Sequence, residues 1–316
     1  MFVTERHSVS RAWPGIAACI LAGAIWGLVF LAPRLAADFS PLQLSAGRYV
    51  AYGLVAAALL ARGGRRVVRS LRWRDWRTLA WLGLTGNIVY YVLLAWAIQH
   101  GGVAMPSFVI GLLPIAITLV GSREHGAVPL RRLAPSLLLS AAGLACTGWQ
   151  SLNTQGLASL PALLCACGAL ACWTVYVVIN SRALGRLPHV SSHDWSLLIG
   201  IVTGGEALLL LAPAVGIDGG LGVHDGAAWL RFAGLSGAVA VLASVVGNAL
   251  WNRASRVLPL TMMGQMIVFE SLFASLYGFL WERRWPAPLE VLALVLLVAG
   301  VAACAAAHGP GRAGRR

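Results

Sequence analysis

Residues 258–280 read LPLTMMGQMIVFESLFASLYGFL. The run is long and apolar enough to cross a bilayer, which takes about 20 such residues. One side chain in it ionises, Glu270, near the middle. Placing a charge at that depth costs about 2.5–3.5 kcal/mol by insertion measurements. Such a residue persists where it faces a protein interior or a wet cavity and finds partners there. The rest of the chain therefore reads as a wall around a polar interior.

Composition agrees. The chain has 316 residues, of which 59% are hydrophobic and 11% charged, with a mean hydropathy of +0.77. Soluble domains carry about 25% charged residues, so this is the composition of a membrane protein. The formal net charge is +13, and all 24 basic residues are arginine. In a soluble protein that balance suggests nucleic acid; here no soluble segment is long enough to fold as a reader module, so no nucleic-acid partner is expected. All six cysteines (Cys19, Cys146, Cys165, Cys167, Cys172, Cys304) fall in apolar runs and read as small, reduced packing residues. Cys165 and Cys167 lack a second ligand pair, and His189, His193 and Asp194 lack a third partner, so no metal is expected.

Ten apolar stretches follow one another: 15–32, 44–60, 79–98, 103–120, 133–149, 160–179, 195–211, 229–250, 258–280 and 289–305. The first is longer than the 7–15 apolar residues of a signal-peptide core and reads as a retained helix. The arginines alternate with these stretches. The loop after the second carries Arg62, Arg65, Arg66, Arg69, Arg72, Arg74 and Arg77; those after the fourth, sixth and eighth carry Arg123, Arg131, Arg132, Arg182, Arg186, Arg253 and Arg256. Arg6, Arg11, Arg312, Arg315 and Arg316 flank the whole set, while the opposite loops hold only Arg34, Arg283 and Arg284. By the positive-inside rule this puts both termini in the cytoplasm and favours an even number of spans. The loop 214–228, with Asp218 and Asp225 and no arginine, falls outside. Arg65 to Thr78 interleaves arginine with Trp73 and Trp76, the pattern of an interfacial helix on anionic headgroups.

The second half echoes the first. Trp26 and Trp173 are 147 residues apart, Gly83-Leu84-Thr85-Gly86 and Gly234-Leu235-Ser236-Gly237 151, Pro114 and Glu270 156, Ala142-Gly143 and Ala299-Gly300 157, Glu124 and Glu282 158. Each half holds five spans. An odd number makes the second half enter the membrane in the opposite sense, the inverted repeat of secondary transporters whose site lies between the halves. The expected layout is a cytoplasmic segment 1–14, five-helix repeats 15–151 and 158–306, and a basic tail 307–316. The fold class is all-α integral membrane, ten transmembrane helices in two inverted repeats. Spans one to four and six to nine enclose a cavity, and glycine-rich spans five and ten pack outside it or in a homodimer.

Ile25-Trp26-Gly27 in span one, Ala46-Gly47-Arg48-Tyr49 in span two, and a Glu closing spans four (Arg123-Glu124) and nine (Trp281-Glu282) together resemble the EamA family of the drug/metabolite transporter superfamily. The resemblance runs from about residue 15 to 305. It implies a carrier in a bacterial inner membrane, working outward. Trp251-Asn252 before a polar-spotted ninth span resembles the aromatic amino acid exporter branch. Glu270 stands where that branch carries a proline, so its substrate is not carried over.

The residues offer a candidate lining for a small amphipathic solute such as an amino acid. Glu270 either pairs with a cationic group or a proton, or makes a structural bond across helices. Arg48 either clamps a carboxylate with its planar fork or bridges to Glu270 or Glu206. Glu206 follows Gly204-Gly205, where another helix comes close, and lies near enough to the outer end of its span to snorkel. Asn87, Gln265 and Asn248 are polar residues within spans, serving as helix glue or cavity lining; Asn248 shares a face with Asn252. Trp26, Trp173, Tyr90 and Tyr91 would shape the pocket; the other tryptophans, including Trp13, Trp81, Trp96, Trp149, Trp195, Trp229, Trp281 and Trp285, read as interfacial belt. Pro106 and Pro114 in span four are hinge candidates. Walker, Rossmann and Ser-His-Asp patterns are not visible, so neither an enzyme nor a cofactor is expected, and energy comes from a gradient or exchange. The rival reading is a membrane scaffold with no transport of its own.

Overall fold

The computed structural model describes residues 6–61, 64–101, 106, 109–122, 128–155, 160–217, 224–283 and 285–307. Arg123-Glu124, Asp218, Arg284 and the tail beyond residue 307 lie outside them. The described residues are helical, without strands: α1 Arg6–Gly27, α2 Ala32–Leu35, α3 Pro41–Ala61, α4 Arg65–Ser70, α5 Trp73–Gly83, α6 Val89–Gly101, α7 Leu113–Gly121, α8 Leu130–Gln155, α9 Leu160–Arg186, α10 Ser192–Ile217, α11 Gly226–Val239, α12 Asn248–Ala254, α13 Leu260–Met266, α14 Val268–Glu282 and α15 Pro288–Ala307.

Eight helical stretches among the described residues are long and apolar enough to cross a membrane: Trp13–Leu35, Pro41–Ala61, Trp73–His100, Leu160–Arg186, Ser192–Ala214, Gly226–Ala254, Leu260–Trp281 and Pro288–Ala307. They correspond to the first three and last five stretches read from sequence. The fifth is α8, whose 26 residues extend about 39 Å at 1.5 Å per residue. The fourth is described in part: helical backbone at Pro106, Val109 and Ile110, then α7.

Spans three and eight are each interrupted by a π-helical stretch, Leu84–Ile88 between α5 and α6 and Ala240–Gly247 between α11 and α12. Each stretch carries a glycine where a large ring arrives from another helix. A Cβ on Gly86 would lie 2.1 Å from the Tyr176 ring, and one on Gly247 2.5 Å from Trp26 Nε1. The fourth and ninth apolar stretches are broken too. The chain turns at Gly111-Leu112 before α7, and at Ile267 between α13 and α14, where Glu270 N–H donates to the Ile267 carbonyl at 2.9 Å. Gly111 and Ile267 are 156 residues apart, the separation of Pro114 and Glu270. Pro114 is the second residue of α7, in the first turn, where a missing N–H is tolerated; it starts a half-helix rather than kinking a continuous one.

Packing follows the small residues. α3 runs along α10 and they cross at two glycines: a Cβ on Gly204 would lie 2.6 Å from Gly53 Cα. α8 pairs with α15, where a Cβ on Gly300 would meet Ser140 Oγ at 2.6 Å. So the glycine-rich helices meet each other within one chain. α1 packs on α12, α13 and α14, and α9 on α5, α6 and α7. α1 comes so close to α14 that a Cβ on Gly23 would lie 2.9 Å from Glu270 N. One continuous apolar core runs through these contacts.

Two expectations are corrected. Trp195 is no belt residue: it is fully buried, and its indole donates to Asn180 Oδ1 at 2.9 Å. Glu206 does not stand near a helix end, because α10 continues to Ile217 and places it near the middle of 26 residues. Trp13, Trp81, Trp149, Trp281 and Trp285 are exposed, as a belt requires.

Candidate functional site

Arg48 is buried on α3, one turn beyond the capping box formed by Ser40 and Gln43. Its Nε donates to Ser244 Oγ at 3.1 Å, inside the π stretch of span eight. Its guanidinium lies over two tyrosine rings, 4.7 Å from the Tyr91 centroid and 4.9 Å from Tyr49. Aromatic faces suit a planar cation in a dry place.

Glu270 is buried in the first turn of α14, beside the break at Ile267. A helix N-terminus favours a carboxylate. The charges of Arg48 and Glu270 lie within electrostatic range, and Tyr90 stands in range of both. Among the described residues the two form no ion pair, and the carboxylate accepts no side-chain hydrogen bond. Arg48 and Glu270 are thus two buried ionisable groups that, among the described residues, have not closed on each other.

Aromatic rings fill the space around them. Trp26 and Trp173, matched by the sequence repeat, touch edge to face at 5.6 Å. Trp26 also packs on Trp251 at 5.3 Å and donates its indole N–H to the Ala243 carbonyl at 2.9 Å. Trp173 lies 4.9 Å from Tyr90 and 4.9 Å from Tyr176; Tyr91 meets Tyr49 at 6.0 Å. Trp26, Trp173 and Tyr90 thus form one run of ring contacts, with Tyr91 on Arg48 and Glu270 within electrostatic range of both Tyr90 and Arg48. The sequence reading missed Tyr49, Tyr176, Trp251 and Ser244. Tyr49 adjoins Arg48 in the quoted motif, a usable signal; Tyr176 and Trp251 needed the register of the helices.

Asn248 faces the Tyr52 hydroxyl, which donates to the Ser196 carbonyl at 2.6 Å. One turn on, Asn252 accepts from Asn180 at 2.7 Å. These asparagines join α9, α10 and α12.

Three other candidates stand apart. Gln265 accepts from Ser140 of α8 at 3.3 Å and serves the contact between spans five and nine. Asn87 donates to Thr203 Oγ1 at 3.1 Å, and half-buried Glu206 lies against Gly83, whose Cβ would fall 2.3 Å from its Oε2. These form a second polar patch between spans three and seven. Pro106 is buried in helical backbone. The side chain of Glu282 is not described.

A cavity of about 610 Å³ opens at the end of the molecule holding the α2–α3 turn. Asp38, Phe39, Gln43, Trp96, Gln99, His100 and His224 line it. Phe39 stacks on Phe232 at 4.4 Å and His224 at 4.2 Å, and Arg231 donates to Asp38 at 2.6 Å.

Three comparisons bear on this arrangement. The model of the EamA-like transporter family matches twice, over residues 13–149 and 160–305. The inner membrane protein YtfF of Escherichia coli (strain K12) is 34% identical over 301 residues, covering 91% of this chain and 93% of that protein. A solved crystal structure superposes with a TM-score of 0.69 at 20% identity, over 92% of this chain and 95% of that one, which bears on the fold alone.

Proposed function

Because the chain belongs to the EamA-like transporter family, within the drug/metabolite transporter superfamily, and is an integral membrane protein, we propose that it carries a small zwitterionic or amphipathic metabolite, an amino acid or a close analogue, by alternating access. The observation that carries this reading is the pair of unclosed charges in an aromatic chamber. Arg48 offers a fork for a carboxylate and Glu270 an acceptor for an ammonium. Trp26, Trp173, Tyr90 and Tyr91 offer faces for the carbon skeleton. A solute carrying both charges would satisfy both groups at once, where a buried single charge would leave one exposed to the low dielectric.

The machine would be two five-helix repeats, 15–151 and 158–306, inserted in opposite senses. Support comes from the exchange of neighbours: α1 on spans eight and nine, α9 on spans three and four. It also comes from the equivalent breaks at Gly111 and Ile267. The arginine pattern supports cytoplasmic termini, and the relative's name supports an inner-membrane location. Outward transport and proton coupling through Glu270 complete the reading; a homodimer would use the lipid-facing surfaces.

The test is flux from proteoliposomes loaded with a mixture of amino acids and small metabolites under an imposed pH gradient, each species followed by mass spectrometry. Release of zwitterions above protein-free liposomes supports the carrier. A panel in which nothing moves supports a scaffold.

A further inference from the structure

We propose that Gln99 and Arg256 are repeat-related latches closing opposite ends of the chamber, and that their unequal strength holds the arginine-rich end shut at rest. The inference rests on the alternating-access reading. Two caps set the frame. Ser40 and Gln43 cap α3, with Gln43 N–H donating to Ser40 Oγ at 3.2 Å; Ser191 and Asp194 cap α10, with Asp194 N–H donating to Ser191 Oγ at 2.9 Å. Ser40 and Ser191 are 151 residues apart, as are Phe39 and Val190 before them.

In each half, a residue near the end of the third span, Gln99 in the last turn of α6 and Arg256 two residues past α12, reaches across to that cap. Gln99 Nε2 donates to the Phe39 carbonyl at 3.0 Å. Arg256, 157 residues later, donates to the Val190 carbonyl through Nη2. The two contacts sit at opposite ends of the molecule. Each ties the link between the third and fourth spans of its repeat to the link between the first and second.

The ties are unequal. Gln99 makes one neutral bond to the carbonyl. Arg256 also donates to Ser192 Oγ at 2.6 Å, to the Leu184 carbonyl at 3.3 Å and to the Leu187 carbonyl at 3.4 Å. It thereby places a cation on the last carbonyls of α9, where the helix dipole favours one. Bonds from an ionised donor are roughly twice as strong as neutral ones. At the Gln99 end a further tie, Arg231 to Asp38, is exposed on both partners and screened by solvent. The cavity of about 610 Å³ lies at that end, with Gln99, Phe39 and Ser40 in its wall. The weak latch borders a cavity, and the strong latch ties the arginine-rich end through four bonds.

Hydrogen–deuterium exchange in nanodiscs tests this on the whole chain, comparing wild type, Arg256→Gln and Gln99→Ala. Arg256→Gln should speed exchange over 184–192 and slow it over 36–43 at the far end, each by about fivefold or more, because coupled sites bias one another reciprocally. Gln99→Ala should do the reverse, which keeps the test open if the arginine variant does not fold. Faster exchange over 184–192 with 36–43 unchanged would make Arg256 a helix cap and overturn the proposal, as would no response to either variant. Flux on the same preparations separates the two readings: a wild type that moves nothing counts against transport, while reciprocal exchange would still establish the latches.

Discussion

Arg48 and Glu270 are buried within electrostatic range of each other, with Tyr90 in range of both, and the proposed transport rests on their not closing into an ion pair. Arg48 is occupied on its Nε side by Ser244 and on its faces by Tyr49 and Tyr91. That geometry uses the flat guanidinium, which an ammonium cannot copy. Arg48→Lys should therefore behave like Arg48→Gln. Each should raise the transport KM by about 10- to 100-fold, the loss of a bond to a charged group at 1.5–3 kcal/mol. A lysine variant with wild-type KM would mean that charge alone matters. Glu206 makes the contrast. It lies against Gly83, apart from Arg48 and Glu270, so Glu206→Gln should leave KM within about twofold, a change under 0.5 kcal/mol. Both carboxylates were legible as intramembrane charges. Their separation into different patches was not, because it depends on which face of each helix meets a neighbour.

At the scale of elements, the sequence predicts the apolar stretches with their order and alternation, and it marks glycines as places of close approach. The breaks were not legible. Ile267 is an ordinary apolar residue in an apolar run, and one residue of turn leaves hydrophobic periodicity almost untouched. The π stretches are hidden for the same reason: each is apolar, and its purpose lies in the ring it admits from another helix. Glycine pairs allow a sharp test. Gly204 faces the Gly53 backbone, whereas nothing lies within 4 Å of a Cβ on Gly205. Gly204→Ala should cost about 1–3 kcal/mol by overpacking α3 against α10, read as a lower thermal unfolding midpoint in detergent. Gly205→Ala should not lower it. Equal effects at the two positions would refute this packing.

At the scale of the molecule, the repeat was the most informative feature of the sequence. Offsets between 147 and 158 residues anticipated that Trp26 and Trp173 belong together, and the two rings touch. They also matched Pro114 with Glu270, and the structure places each in the first turn of a half-helix, which the offsets alone did not foretell. What the offsets did not give was the exchange of partners between halves, since pairing across the interior is set by tertiary packing. The repeat is also asymmetric where it matters for chemistry: at the 151-residue offset of the α3 and α10 caps Arg48 has Ile199 as its counterpart, and Glu270 has Pro114. A symmetric frame with charges in one copy of each position is suited to a machine that rocks around a single site.

In the proposed carrier, solute and driving force meet between Arg48 and Glu270. The most direct measurement is flux of the transported solute from proteoliposomes with and without a pH gradient, wild type beside Glu270→Gln at matched incorporation. Wild type should move solute in response to the gradient, and the variant should lose that response and bind solute more weakly. Equal flux and equal gradient response in the two proteins would contradict the proposal and leave Glu270 a structural residue.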